Sequence, residues 1–281
     1  MKHTPPPRHS TAFASELTWP VYAEAMRDGR TPILIPIGSM EQHGHHMPLH
    51  VDVLLPTEFA RRVALEMGAL VAPPFTYGYK SQQKCGGGNH MPGTTSLDGM
   101  TLVAALRDVI KEFARHGARK VCMVNGHFEN SWFIIEAIDL ALRELRWDGI
   151  TDVKVVVLSY WDFVDQDAIA KLYPNGFPGW EIEHGGVLET SLMLALAPET
   201  VAMDEATHFQ SRALARAQTC PILGDGKSAR MGWHVQDYHP SGAVGNAAQA
   251  DASRGAALCE AAGQALAQGD RPVKFILPNA T

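Results

Sequence analysis

The sequence predicts an α/β fold: a mainly parallel central sheet flanked by helices on both faces. Three observations carry that prediction. Short apolar runs rich in branched residues recur at 32–37, 69–73, 120–124 and 153–158. Stretches with apolar residues at helical spacing lie between them. Polar clusters follow the first, third and fourth runs directly, as loops do at the carboxyl edge of a parallel sheet.

In chain order, Met1 to about residue 12 is a proline-bearing leader expected to be disordered, and 13–281 reads as one domain with no internal repeat and no linker. Residues 32–37 form the first strand. A helix follows from Leu54 to Met67, closed by Gly68. Ala69 to Pro73 is a short strand. Tyr77 to Thr95 has no periodicity, which inside a compact domain marks a functional loop or lid. Asp98 can cap a helix reaching about His116, with Leu102, Ala105, Leu106, Val109, Ile110 and Phe113 as its stripe.

Lys120–Val124 is a strand, and a helix after Asn130 runs to about Leu145. Val153–Leu158 is a strand, and 163–172 is helical. Val187–Leu196 is an apolar helix. Residues 198–247 carry too little periodicity to place, and Ala252–Ala267 is a closing amphipathic helix.

A net charge of −6 excludes nucleic acid as the main partner, because phosphate binding needs a basic face. No apolar run approaches the roughly 20 residues of a membrane span. The N-terminus lacks the apolar segment of a secretory signal, so the expected place is the cytoplasm. Cys85, Cys122, Cys220 and Cys259 form no CxxC pair and read as free thiols in a reducing compartment. The expected partner is a small-molecule substrate.

The chemistry gathers in the three clusters. Gly38 to Asp52 holds four histidines, Glu41 and Asp52. His127 and Glu129 follow the third strand, and Trp161 follows the fourth. Glu41 and His43 are two apart, as are His127 and Glu129, so each pair can point to one side of extended backbone. Imidazole and carboxylate together suit zinc or manganese. Five such groups, Glu41, His43, Asp52, His127 and Glu129, suit two ions about 3.5–4 Å apart with one shared carboxylate, a device for hydrolysing a polarised C–N bond. His45, His46 and His50 compete for the same role on spacing alone.

Glu183-His184 is an acid/base candidate; equally, Glu183 can be the acidic start of the following helix. Trp161 and Trp180 can wall a pocket for a planar ligand. Gly224-Asp225-Gly226-Lys227-Ser228 lacks the first glycine of a phosphate loop, which would fall on Pro221. No GxSxG elbow is present.

The segments Glu41-Gln42-His43-Gly44-His45-His46, His50-Val51-Asp52-Val53-Leu54-Leu55-Pro56-Thr57, Tyr77 to Lys84, Asn125-Gly126-His127 with Glu129-Asn130-Ser131, Val155 to Phe163 and Ile182-Glu183-His184-Gly185-Gly186 together resemble the creatininase (creatinine amidohydrolase) family of metal-dependent hydrolases, over about residues 16–197. The resemblance implies two divalent ions, zinc with manganese or zinc. Glu41, Asp52 and His127 would hold one, and His43, Asp52 and Glu129 the other, with Asp52 bridging. It implies that Ser81, Trp180 and His184 contact substrate, that His184 handles the proton, that Trp161 moves over the pocket, and that six copies assemble.

Phe128 stands where that family has tyrosine, and Glu181 where it has aspartate. Both positions lie on the substrate side with Glu183 and Trp161, so these departures bear on substrate choice. The expected reaction opens the ring amide of creatinine to creatine through a metal-bridging water, with Glu129 or His184 relaying the proton. Alternatives are the same chemistry on glycocyamidine, a hydantoin or a formamide, and a non-catalytic metal-binding or ligand-binding homologue.

Overall fold

The computed structural model describes residues 11–81, 88–164, 166–177, 183–207, 241–243 and 245–267. The expected positions Trp180, Glu181, Cys85 and Cys220, and most of 198–247, lie outside the described residues. Among those described, four strands form one sheet: β1 (Ile33–Ile37), β2 (Leu70–Val71), β3 (Lys120–Asn125) and β4 (Lys154–Ser159). All neighbours pair in parallel, in the order β2-β1-β3-β4. The expected α/β class is therefore observed.

Among the described residues the α-helices are α1 (Trp19–Met26), α2 (Val51–Met67), α3 (Gly99–Arg115), α4 (Ser131–Trp147), α5 (Gln166–Leu172), α6 (Val187–Leu196) and α7 (Ala252–Ala267). Side chains alternate across a strand, and the two cores follow that alternation. Ile33, Ile35, Ile37, Val121 and Met123 face α1, α3 and α4. Leu34, Cys122, Val124 and Leu158 face α2, α5, α6 and α7. Both faces are covered, as a parallel sheet requires.

Pro36 sits inside β1, where a missing N–H would ordinarily cost a ladder bond. Its carbonyl accepts from the Phe75 N–H at 2.9 Å on the β2 side, beyond the end of that strand. The absent donor faces the same way, so the β3 ladder stays whole. Gly68 closes α2 in the left-handed region, at φ +68. Asp98 precedes α3, but its carboxylate makes no capping bond. It pairs with Lys80 instead, which corrects the capping expectation.

Register fixes where the site forms. Ile37 pairs with Asn125, and Asn125 with Ser159, so three strands end level. The chain leaves β1 toward β2 on one side while β3 lies on the other. The carboxyl edge between β1 and β3 is thus the switch point at which open α/β sheets bind ligands.

Candidate metal centre

Three segments leave that edge. The loop Gly38–His50 carries Glu41 and His43 and ends in the first turn of α2, where Asp52 lies. The helix begins three residues earlier than its apolar stripe predicts, and its positive end favours the Asp52 carboxylate. After β3, Gly126-His127 leads into a single 3-10 turn, Phe128–Asn130. Two glycines allow these segments to close on one another. A Cβ on Gly38 would lie 2.4 Å from the Asp52 carbonyl oxygen, and one on Gly126 would lie 2.3 Å from it. Asn130 ties the loops together, donating to the Gly38 carbonyl at 3.0 Å and accepting from the Tyr79 N–H at 2.7 Å.

Glu41, His43, Asp52, His127 and Glu129 are all buried. His127 Nδ1 lies 2.9 Å from Glu41 Oε2 and 3.0 Å from Asp52 Oδ2. Its Nε2 faces the Tyr79 carbonyl at 3.1 Å and Glu129 Oε2 at 3.4 Å, two acceptors that keep the hydrogen on that nitrogen. His43 Nδ1 donates to the Glu41 carbonyl at 3.1 Å, so its neutral Nε2 is bare. That Nε2 points at Asp52 Oδ1, 3.1 Å away, and at Glu189 Oε2, 3.7 Å away. His43 Nε2 and Asp52 Oδ2 are both buried without a well-formed hydrogen bond. Lone pairs thus meet lone pairs at two adjacent points, and only protons or cations can satisfy them.

Three overlapping sets of donor atoms therefore converge, Glu41/His43/His184, Glu41/Asp52/His127 and His43/Asp52/Glu189. Asp52 gives one oxygen to each of the last two. Burial alone would raise Asp52, but the His43 and His127 imidazoles hold its pKa at about 2. Burial opposes the charging of both rings, yet the carboxylates Asp52 and Glu189 raise His43, and Glu129 and Glu41 raise His127. In the metal-free site, protons on these rings stand in for the charge of ions. The donor set fits divalent zinc or manganese.

Glu189 was not expected. It lies in the first turn of α6, a mostly apolar helix. Its Oε2 accepts from the Gly185 N–H at 2.7 Å and its Oε1 from the Tyr160 hydroxyl at 3.4 Å. A lone acid in the buried first turn of such a helix was the available signal. Glu129, the expected partner of His43 and Asp52, instead sits beside the far nitrogen of the His127 ring.

Of the competing histidines, His45 is exposed. His46 is buried, its Nε2 lies 2.9 Å from Thr190 Oγ1, and burial lowers its pKa to about 4. It fastens the loop to α6. His184 stacks on His43 with ring centroids 4.5 Å apart, its Nε2 2.8 Å from the Gln42 carbonyl and 3.9 Å from Glu41 Oε1. Burial lowers its pKa despite Glu41, which keeps the ring neutral at neutral pH.

Glu183, expected at the substrate, turns its carboxylate toward the start of α6. It accepts from the Leu188 N–H at 3.0 Å and from the Tyr173 hydroxyl. The helix-start alternative describes these contacts. Ser81 is buried against Glu41. Phe128 and Trp161 face each other at 6.5 Å beside the metal-ligand candidates, and Trp132 meets Phe128 edge-on at 5.7 Å.

The creatininase family profile, described as creatinine amidohydrolase, matches residues 15–269. Creatinine amidohydrolase from Pseudomonas putida is 62% identical over 195 residues, spanning 69% of this chain and 75% of that protein. A Zn–Zn type creatininase mutant superposes with a TM-score of 0.86 at 49% identity, covering 95% of this chain and 99% of that one. A manganese creatininase gives 0.86 at 50% identity, with the same coverage. The chain belongs to the creatininase family.

Proposed function

We propose that the chain is a metal-dependent amidohydrolase that opens the ring amide of creatinine to creatine at a site for two divalent ions. The observation that carries the reading is Asp52, whose two oxygens face two separate imidazole–carboxylate sets. Glu41, Asp52 and His127 would hold one ion, and His43, Asp52 and Glu189 the other. When bound, the pair supplies Lewis acidity and a water acidic enough to attack the ring carbonyl near neutral pH.

The chain's own groups do the rest. Glu129, or neutral His184 beside Glu41 and His43, takes the proton that the attacking water gives up and delivers that same proton to the leaving ring nitrogen. Phe128 and Trp161 form an apolar wall that suits a flat ring and limits water. Trp180 and Glu181 belong to the substrate side of the same reading. Exposed Met100, Trp132 and Ile135 at the starts of α3 and α4 are consistent with a homo-oligomer, a hexamer in this reading.

The test is creatine formation from creatinine by zinc-loaded or manganese-loaded enzyme, with and without chelator. Full turnover after complete metal removal would sink the proposal. One observation favours a neighbouring substrate: the Phe128 ring offers the pocket no hydrogen-bonding group. A panel of creatinine, glycocyamidine, hydantoins and formamides separates the two readings by kcat/KM.

A further inference from the structure

Ser81 leaves its residual role open. The residue is 4% exposed, and its hydroxyl both accepts and donates within the protein. Oγ accepts from the Gly88 N–H at 2.8 Å and donates its only hydrogen to Glu41 Oε1. No donor remains for a substrate atom. The other Glu41 oxygen, Oε2, lies 2.9 Å from His127 Nδ1 beside Asp52.

We infer that Ser81 is a positioning residue for Glu41, holding Oε1 so that Oε2 alone is presented to the ion shared with Asp52 and His127. The inference rests on the two-ion reading of the site. A carboxylate turns easily about its last bond, and an unheld one samples several ligation modes. A hydrogen bond to the non-ligating oxygen removes that freedom and directs charge toward the ion. Ser81 is well placed for this because Gly88 N–H orients the hydroxyl from behind. The burial of both groups leaves little room for water to replace it.

The test compares wild type, Ser81→Ala and Ser81→Thr as folded, zinc-loaded enzyme. Zinc stoichiometry and affinity are read by chelator competition, and kcat and KM for creatinine at saturating zinc. Wild type should hold two ions. Ser81→Ala should keep the His43-side ion, which also reports an intact fold, and lose about 10–100-fold in affinity for the other. Its KM at full occupancy should match wild type. Ser81→Thr, which keeps the hydroxyl, should restore the affinity.

Wild-type affinity for both ions in Ser81→Ala overturns the inference. So does a raised KM at full occupancy with unchanged zinc affinity, which would return the hydroxyl to the substrate. Loss of the ion in Ser81→Thr as well assigns the effect to packing and also overturns it. A wild-type protein that binds fewer than two ions defeats the site reading itself, and that result is distinct from all of these.

Discussion

Glu183, buried just before α6, and Glu189, partly buried in its first turn, are acids of one segment, and their surroundings give them opposite tasks. Glu189 faces the His43 imidazole, so its charge is compensated; burial alone would raise its pKa, but His43 holds it down. Replacing it with glutamine keeps the shape and the Gly185 contact but removes the charge. Glu189→Gln is expected to weaken zinc at the His43 side by more than about tenfold, read by chelator competition. Unchanged affinity would return the third position to Glu129. Among the described residues Glu183 has no cation beside it, and burial raises its pKa to about 7 against the bonds from Tyr173 and Leu188. A carboxyl with a folded pKa above its unfolded value binds protons more tightly when folded. Stability therefore falls as pH rises from about 4.5 to about 7. Glu183→Gln removes that titration. Its Tm relative to metal-free wild type should thus improve between pH 5 and pH 8, and a constant difference would count against this account.

At the level of elements, the site depends on how closely α2 seats against the ends of β1 and β3. Gly126→Ala would put a methyl 2.3 Å from the Asp52 carbonyl oxygen and 2.4 Å from Pro56 Cγ. Both neighbours are rigid, so the helix start must shift. The expected cost is about 1–3 kcal/mol in denaturant unfolding, accompanied by loss of zinc. Loss of stability with both ions retained would show that the loops adjust independently of Asp52. The sequence displayed these elements unevenly. β1, β3 and β4 were readable because branched apolar runs stop abruptly at polar clusters. The start of α2 was not, because His50-Val51-Asp52 looks like more of the ligand loop, although Asp52 needs the helix end to be placed. β2 shrinks from the expected 69–73 to Leu70–Val71 because only those residues pair with β1. Of the six converging residues, Glu41, His43 and His127 were visible by their spacing after strands, Asp52 by its place in the histidine-rich stretch and His184 as an acid/base candidate. Glu189 was hidden, since no local pattern ties α6 to β1 across more than a hundred residues of chain. The roles of Glu129 and Glu183 depended on side-chain direction, which spacing does not fix.

For the whole molecule, the two ions would join elements from both halves of the sheet edge. Glu41 and His43 come from the β1 loop, Asp52 from α2, His127 from the β3 loop and Glu189 from α6. Without ions, protons on His43 and His127 relieve much of the repulsion among these carboxylates, and those protons compete with metal for the same lone pairs. An ion that binds the folded chain and not the unfolded one adds RT ln(1 + [M]/Kd), about 2.7 kcal/mol when free metal is a hundredfold above Kd. In a domain of this size each kcal/mol shifts Tm by about 2–4 °C. Stripping one tightly held ion should therefore lower Tm by roughly 5–10 °C, and readdition of zinc should restore it in proportion to the logarithm of its concentration. Because Asp52 is common to both sets, the second ion should add a different increment from the first. Asp52→Asn should abolish the zinc-dependent shift altogether. A chelator-treated wild type that melts at the temperature of the zinc-loaded protein would mean that these groups are held by the fold alone and that no ion links them.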